Sequence, residues 1–316
     1  MTSHRRLRLL LLATLAAVAV AGGEEEEAFC DAAAVLRTDR LTVLLIGYSE
    51  RRLPLLRAIA GAYAAQPLVL AVVVLWSNPS TPESLLSGFP PAVTLHRTAS
   101  SSLNSRFLPH PSIRTAAVAV ADDDVLPDAA ALSFAFATWQ RSRRGTLVGF
   151  FPRSHHLDLA RGRWAYAAAQ PGRYSMVLTK LLVLGVDLLR IYTCSPELAA
   201  ARAVVDRERN CEDILMNFVA AEESGEGPVL VDAGSIRDWG DPRNDGAGGE
   251  AMKAVGLSST GGTGHWEKRG ECITEFHRLL GRMPLRYSYG KVVAAVAGGE
   301  QGLCIKGGRL VRCDQE

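Results

Sequence analysis

The chain has 316 residues, of which 48% are hydrophobic and 22% are charged, and its formal net charge at pH 7 is +2. This composition is that of a globular protein with an ample core, and it excludes an intrinsically disordered chain. Charges of both signs are spread along the sequence, so no basic stretch predicts a nucleic acid as a partner.

The N-terminus has the pattern of a targeting segment. Basic residues within positions 4–8 precede an apolar run over residues 9–23, and four glutamates follow at 24–27. This charge order places the N-terminus in the cytosol and the rest of the chain in the lumen. The run is shorter than the ~20 residues that span a bilayer. We therefore predict that residues 1–27 are a signal peptide or a signal-anchor, and that a short stem follows over residues 28–40.

The cysteines agree with an oxidising compartment, because six is an even number in a chain that enters the secretory pathway. No CxxC pair occurs, so a zinc site of that kind is not predicted. Whether all six form disulfides or some remain buried thiols is open at this point. They are Cys30, Cys194, Cys211, Cys272, Cys304 and Cys313.

From residue 41 the chain alternates between apolar strands and helices. Strands are predicted at 42–48, 68–76, 92–96, 115–121 and 146–151, and helices at 54–65 and 131–140. Apolar strands separated by helices predict an α/β domain whose central sheet is mainly parallel and flanked by helices on both faces. Ligands bind to such sheets at the carboxyl ends of the strands.

The second half of the chain is less regular. Helices are predicted at 196–208, at 211–223 and at 265–280. The Gly-rich passage at 234–264 predicts a mobile loop within one domain, because a helix resumes after it. Near the C-terminus, Gly307-Gly308 predicts a tight hairpin.

Three adjacent aspartates, Asp122, Asp123 and Asp124, follow the apolar strand at 115–121. Acids this close raise one another's pKa unless a cation neutralises them. Mn²⁺ or Mg²⁺ would do so, since hard cations prefer carboxylate oxygens and keep positions open for a substrate phosphate. Such an ion would offset charge on a diphosphate leaving group. The alternative is a turn in which the acids precede a helix that Asp128 caps.

Other polar residues could join a site at this edge of the sheet. Asn104 and Arg106 lie in a polar loop upstream, where they could face a nucleotide. Glu212 and Asp213 begin a predicted helix, and a basic stretch at 265–269 follows glycines. Each also has an ordinary interpretation as a solvated loop, a pair of acids at a helix dipole, or a solvated helix face.

Eight motifs follow one another in the chain, and they are LIGYSERR, LNSRFLP, VADDDVLP, VGFFPRSHH, YSMVLTK, NCEDILMNF, DWGDPRN and GHWEKRGECI. Taken together, these motifs resemble the family 64 glycosyltransferases, the group that includes the exostosin C-terminal domains. The length and the N-terminal segment are most similar to the short plant members of that family, the glycosylinositol phosphorylceramide mannosyltransferases. The resemblance covers about residues 40 to 290 and is far more specific than an acidic triplet.

The resemblance implies an A-type nucleotide-sugar transferase fold in a single domain over residues 41–316. Within it, residues 41–180 would hold the nucleotide sugar and residues 181–316 would receive the acceptor. The family also implies a protein of the Golgi lumen, associated with the membrane through its N-terminal segment or its substrate.

The resemblance further assigns roles in donor binding. Asp124 and Asp122 would be the ligands of Mn²⁺, with Asp122 nearer the nucleoside. Asn104, Arg106, Asp122 and Asp123 would bind the nucleotide-sugar donor.

In the acceptor half, the resemblance makes Asp213 the catalytic carboxylate and Arg269 the residue that contacts the diphosphate and steadies the leaving group. The family pattern pairs Cys211 with Cys272. That disulfide would tie the start of the catalytic helix to the segment that carries the arginine.

The activity implied is the transfer of mannose from GDP-mannose, with retention of configuration, to a glycosylinositol phosphorylceramide head group. One alternative is a UDP-N-acetylhexosamine transferase acting on a glycan. Ser101 and Ser105 stand where animal relatives have Asn, which leaves the choice of base open, and residues 246–264 depart from the family. Another alternative is a catalytically dead sugar-binding protein, but such a protein need keep neither the aspartates nor Asp213 with Arg269.

Overall fold

The computed structural model describes Cys30, residues 35–240 and 263–295, and the backbone of two strands nearer the C-terminus. The predicted signal segment at 1–27 and most of the Gly-rich passage lie outside the described residues. In the part of the chain that is described, no helix is both long and apolar enough to cross a membrane.

The described residues form six α-helices and seventeen strands. The helices are α1 (Leu53–Ala64), α2 (Ala129–Arg141), α3 (Val186–Cys194), α4 (Ala199–Glu208), α5 (Glu212–Ser224) and α6 (Thr263–Leu280). The strands are β1 (Arg37–Gly47), β2 (Val69–Trp76), β3 (Val93–Arg97), β4 (Thr115–Asp122), β5 (Val125–Pro127), β6 (Val148–Gly149), β7 (Pro152–Asp158), β8 (Arg163–Ala168), β9 (Arg173–Tyr174), β10 (Met176–Val177), β11 (Leu181–Gly185), β12 (Val229–Asp232), β13 (Ile236–Asp238), β14 (Ser288–Tyr289), β15 (Val292–Val293), β16 (Leu303–Lys306) and β17 (Arg309–Arg312).

The central sheet has eight strands in the order β15-β12-β6-β11-β4-β1-β2-β3. Its strands pair in parallel except β11, which runs antiparallel to both of its neighbours, β4 and β6. The fold is thus the predicted α/β arrangement with a mainly parallel central sheet. Because β11 and β12 belong to the sheet, it continues across the boundary between the two predicted halves of the domain.

The central strands are apolar at almost every buried position because both faces of the sheet are covered. Successive side chains of a strand point to opposite faces, so Val43 packs with Ile59 and Leu132 of the helices α1 and α2. Leu44, the next residue, packs in a second cluster with Leu215 and other residues of α3 to α6. Two separate cores therefore hold the sheet, and the carboxyl ends of β1 and β4 are fixed side by side.

Two short pairings bring later segments to that edge. Strand β13 pairs antiparallel with β5, just beyond the aspartates. The β7–β8 hairpin packs against α6. The predicted C-terminal hairpin is also present, as β16 paired antiparallel with β17.

The bounds of β6 and β1 differ from the predicted ones for structural reasons. The strand predicted at 146–151 is only Val148–Gly149, because Phe150 and Phe151 leave the sheet and pack on the α1–α2 core before β7 begins at Pro152. Strand β1 begins at Arg37, inside the predicted stem. Farther upstream, Cys30 forms a disulfide with Cys194 at the end of α3, a pairing that spacing alone did not predict.

Candidate active site

The three aspartates lie where β4 ends, and each one contacts an arginine. Asp122 Oδ1 accepts a hydrogen bond from Arg106 Nη1 at 2.6 Å. Asp123 Oδ1 and Asp124 Oδ2 accept from the two terminal nitrogens of Arg52, at 2.5 and 2.7 Å. Two guanidinium groups thus neutralise most of the negative charge of the aspartates. From the sequence, a divalent cation was the only counter-charge predicted for them.

Arg52 is placed by a single turn of 3-10 helix, Glu50–Arg52, that follows β1. The parallel pairing of β1 with β4 sets Ile46 opposite Asp122, so this turn starts beside the aspartates. The residue was present in the motif LIGYSERR but received no role from the sequence. Its position just after the carboxyl end of a buried strand is the sequence feature from which a role in the site could have been predicted.

Burial dominates the electrostatics of the acids. It raises the pKa of Asp123 to about 7, and Arg52 only partly counters this effect. The pKa of Asp124 is raised as well, by burial and then by the charge of Asp122. Burial lowers the pKa of Arg52, but the charges of Asp123 and Asp124 outweigh it and leave a net rise.

The two carboxylate oxygens of Asp124 differ, because one has close neighbours and the other has no hydrogen-bond partner. A Cβ added to Gly240 would lie 2.4 Å from Asp124 Oδ2, so only a glycine allows this close approach. Trp239 N donates to the backbone oxygen of Asp124 at 2.9 Å. In contrast, Asp124 Oδ1 is buried and has no hydrogen-bond partner.

This orphaned oxygen fits a hard cation, which binds carboxylate oxygens of this kind. Asp122, the other predicted ligand, has a side chain that is 31% exposed. Within the described residues, however, no three Asp, Glu, His or Cys side chains form a group that could hold a metal ion. Two carboxylates would leave most positions of such an ion to a substrate and water, as is common for these ions.

Arg106 connects the aspartates to the start of helix α5. Its Nε lies 3.5 Å from Glu212 Oε1, while its Nη1 contacts Asp122. Burial lowers the pKa of Arg106, but Asp122 and then Glu212 raise it further, and the net change is upward. A buried arginine thus stays charged between the aspartates and the start of α5.

Asn104, predicted to bind the donor, uses its amide to build the loop. Its Nδ2 donates to Arg202 O and to Asp206, at 3.0 and 2.9 Å. Its Oδ1 accepts from the hydroxyl of Tyr192 at 2.6 Å. The side chain therefore anchors the 3-10 turn Leu103–Phe107, which presents Arg106.

Asp213 and Arg269 form a buried ion pair, with 2.5 Å between Asp213 Oδ2 and Arg269 Nη2. Arg269 Nη1 also donates to Asn210 Oδ1 at 2.9 Å. The guanidinium carbon lies 4.3 Å from the ring centroid of Tyr166, a cation–π contact. The two residues predicted to be catalytic are thus in direct contact, and Asn210 and Tyr166 hold the arginine in place.

The backbone before α5 is strained. Cys211, its N-cap, has φ of 77°, in the left-handed region that residues other than glycine rarely adopt, and Arg209 has φ of 49°. Such outliers persist where the surrounding structure enforces them, often at functional sites. Here the predicted disulfide between Cys211 and Cys272 joins the turn to α6 and is confirmed.

A chain of ion pairs therefore links the predicted metal ligands to the predicted catalytic pair. It runs from Asp122 through Arg106 to Glu212, and the next residue, Asp213, contacts Arg269.

Nearby, Lys180 pairs with Asp238 at 2.6 Å. The basic stretch at 265–269 turns out to be the first part of α6, with Trp266 41% exposed and Arg269 buried.

The other interpretation of the acidic stretch is correct at one position. Asp128 caps α2, since Asp128 Oδ1 accepts from Ala131 N at 2.7 Å. Asp122, Asp123 and Asp124, here named the acidic cluster, take no part in that cap, so the cap and the acidic cluster coexist.

Glu212 supplies a prediction about pH and stability. Burial raises its pKa from 4.5 to about 7, with Arg106 acting in the opposite direction. Between these values the native protein holds a proton that the unfolded chain has released, so Glu212 lowers stability as pH rises from about 4.5 to about 7. We expect the Glu212→Gln variant to gain stability relative to the wild type over this window, by at most about 3 kcal/mol.

Urea unfolding at pH 5 and pH 8 measures this difference. Glu223→Gln, on the exposed side of the same helix, is the matched control and should show no such trend. An equal difference between Glu212→Gln and wild type at both pH values would mean that Glu212 titrates normally.

Comparison with known proteins identifies the family of the chain. The model described as "Glycosyl transferase family 64 domain" matches residues 41–296. Glycosyltransferase family protein 64 C3 of Arabidopsis thaliana is 48% identical, over 89% of this chain and 87% of that protein. Glycosylinositol phosphorylceramide mannosyl transferase 1 of the same plant is 30% identical, over 77% and 73%. Exostosin-like 2 of Homo sapiens is 30% identical, over 79% and 76%.

Proposed function

The chain belongs to glycosyltransferase family 64, and on that premise we propose that it moves mannose from GDP-mannose to the head group of a glycosylinositol phosphorylceramide. The transfer would depend on Mn²⁺ and retain the anomeric configuration. The transferred sugar and the acceptor follow the name of the mannosyl transferase relative, which matches 77% of this chain. GDP-mannose as the donor follows from the resemblance of the motifs.

One observation carries the proposal. The acidic cluster at the end of β4 and the Asp213–Arg269 pair at the start of α5 are joined by Arg106 and Glu212 into one buried charged array. A catalytically dead relative would have no reason to keep both ends of this array. Preorganised charges in a site shielded from water are the usual means by which enzymes stabilise a charged transition state.

The charged residues divide the work of the transfer. When bound to Asp124 and Asp122, Mn²⁺ would offset negative charge on the departing diphosphate. Arg269 would donate to a diphosphate oxygen from the position that Tyr166 and Asn210 fix. Asp213 would orient the acceptor hydroxyl on the face that the diphosphate leaves, or stabilise the positive charge that develops at the anomeric carbon.

We place the enzyme in the lumen of the Golgi, attached through its N-terminal segment or held at the membrane by its lipid acceptor. Two disulfides, Cys30–Cys194 and Cys211–Cys272, support an oxidising compartment.

Calorimetric titration tests the donor. GDP and UDP are titrated separately into the protein, each with and without MnCl₂. We expect GDP to bind about tenfold or more tightly with Mn²⁺ than without it, and to bind more tightly than UDP, because Mn²⁺ and the diphosphate attract each other in the site. Transfer of mannose from GDP-mannose to a purified inositol phosphorylceramide glycolipid, detected by mass spectrometry, then tests the acceptor.

The outcomes separate the possible functions. Tighter binding of UDP would overturn the mannose donor and favour a UDP-N-acetylhexosamine transferase. Binding of neither nucleotide in the presence of Mn²⁺ would overturn the enzyme assignment itself.

A further inference from the structure

The side chain of Arg52 contacts two carboxylates of the acidic cluster at once. Its two terminal nitrogens contact Asp123 Oδ1 and Asp124 Oδ2, and only 13% of the side chain is exposed. A planar guanidinium is suited to such a two-pronged contact, whereas a lysine ammonium acts as a single point of charge. Arg52 is therefore a fixed positive charge next to Asp124, whose other carboxylate oxygen is buried without a hydrogen-bond partner.

This fixed charge changes what a divalent cation meets. The three aspartates with Arg52 and Arg106 carry one net negative charge, and Glu212 lies on the far side of Arg106. Lys180 is compensated by Asp238. Without Arg52, the three aspartates and Arg106 would carry two net negative charges, which equal the charge of a divalent cation.

We infer that Arg52 makes metal binding depend on the nucleoside diphosphate. A divalent cation would bind weakly to the free protein, because Arg52 repels it and holds Asp124 Oδ2. A diphosphate adds the negative charge that Arg52 has cancelled, so metal and nucleotide bind tightly only together. This inference rests on the proposed use of a metal and a nucleotide-sugar donor, and it adds the origin of their coupling.

A second feature of Arg52 supports a direct role for the diphosphate. Arg52 Nε is buried and has no hydrogen-bond partner. An unpaired buried donor costs free energy, and hydrogen bonds from arginine to phosphate oxygens are among the strong ones. A diphosphate oxygen beside the cation would accept this spare N–H while the contacts to Asp123 and Asp124 persist.

The coupling must be reciprocal, because it is a difference in binding free energy. If GDP raises the affinity for Mn²⁺ by a given factor, Mn²⁺ raises the affinity for GDP by the same factor. This relation provides an internal check that does not depend on catalysis.

Titration of MnCl₂ at pH 8, alone and with saturating GDP or UDP, tests the inference on the whole protein. For the wild type we expect the nucleotide to tighten Mn²⁺ binding by about tenfold or more. For Arg52→Gln we expect Mn²⁺ alone to bind about tenfold more tightly than to the wild type, and the coupling factor to fall correspondingly. Arg51→Gln, in the exposed adjacent position, should behave as wild type.

Arg52→Lys keeps the charge but cannot bridge two carboxylates, so it should retain weak binding of Mn²⁺ alone. The inference is overturned if Arg52→Gln binds Mn²⁺ alone no more tightly than wild type. It is also overturned, even where Arg52→Gln fails to fold, if the wild type binds Mn²⁺ equally well with and without a nucleotide. Failure of the wild type to bind any nucleotide would instead overturn the proposed function.

Discussion

Replacing Asp213 with Asn is expected to lower turnover by at least about a hundredfold while leaving the binding of Mn²⁺ and GDP nearly unchanged. Asn has the same shape, so helix α5 should still begin at Glu212, and Arg269 keeps its contacts with Asn210 and Tyr166. What is lost is the negative charge beside the arginine. Mannose transfer gives the turnover, and calorimetry gives the two dissociation constants.

Breaking a buried ion pair also destabilises a protein, by about 3–5 kcal/mol when one charge is left unpaired. Thermal unfolding of the variant must therefore accompany the kinetics, and assays must be run well below its Tm. Glu223→Gln, on the exposed face of the same helix, is the matched control and should keep full turnover. A folded Asp213→Asn variant with wild-type turnover would remove Asp213 from the mechanism.

The second large effect is expected for Asp124→Asn, which should weaken Mn²⁺ binding in the presence of GDP by about a hundredfold or more. Loss of a residue that merely supports a metal ligand typically costs 10–100-fold in affinity or activity, and loss of a ligand's charge should cost at least as much. Asn fits against Gly240 as Asp does, and Arg52 keeps its contact with Asp123. The fold should therefore survive the change.

The control for this variant is Asp187→Asn at the start of α3, where the side chain is 45% exposed and pairs with Arg144. It removes the same charge and should not alter the affinity for Mn²⁺. Unchanged Mn²⁺ affinity in Asp124→Asn would show that the ion, if bound, is held elsewhere. It would not affect the conclusion that the chain belongs to family 64.

Some of the fold could be predicted from local pattern alone. The apolar runs that became β1, β2 and β4 are buried on both faces, so they contain few polar residues, and this property is visible in the sequence itself. Helices α1 and α2 follow from their apolar spacing in the same way. The strand predicted at 146–151 was too long because Phe150 and Phe151 pack on the core from outside the sheet, which an apolar run cannot reveal.

In the site as well, motifs identified some residues and only the structure revealed others. Asp124, Asp213 and Arg269 were identified through motifs, and the structure brings Asp213 and Arg269 into contact across 56 residues of sequence. Arg52 was missed because it lies 71 residues from Asp123. Its partner is chosen by the parallel register of β1 and β4, and that register is a property of the sheet.

The sequence by itself therefore determined which residues could carry charge chemistry and which segments had to be buried, since both depend on residue type and spacing. Only the tertiary structure decided how those charges are balanced. Arg52 and Arg106 neutralise two of the three negative charges of the aspartates. The amide of Asn104 forms hydrogen bonds that anchor the loop carrying Arg106. The physical reason is that a buried charge must find its counter-charge in space, and the folded chain selects that partner without regard to distance along the sequence.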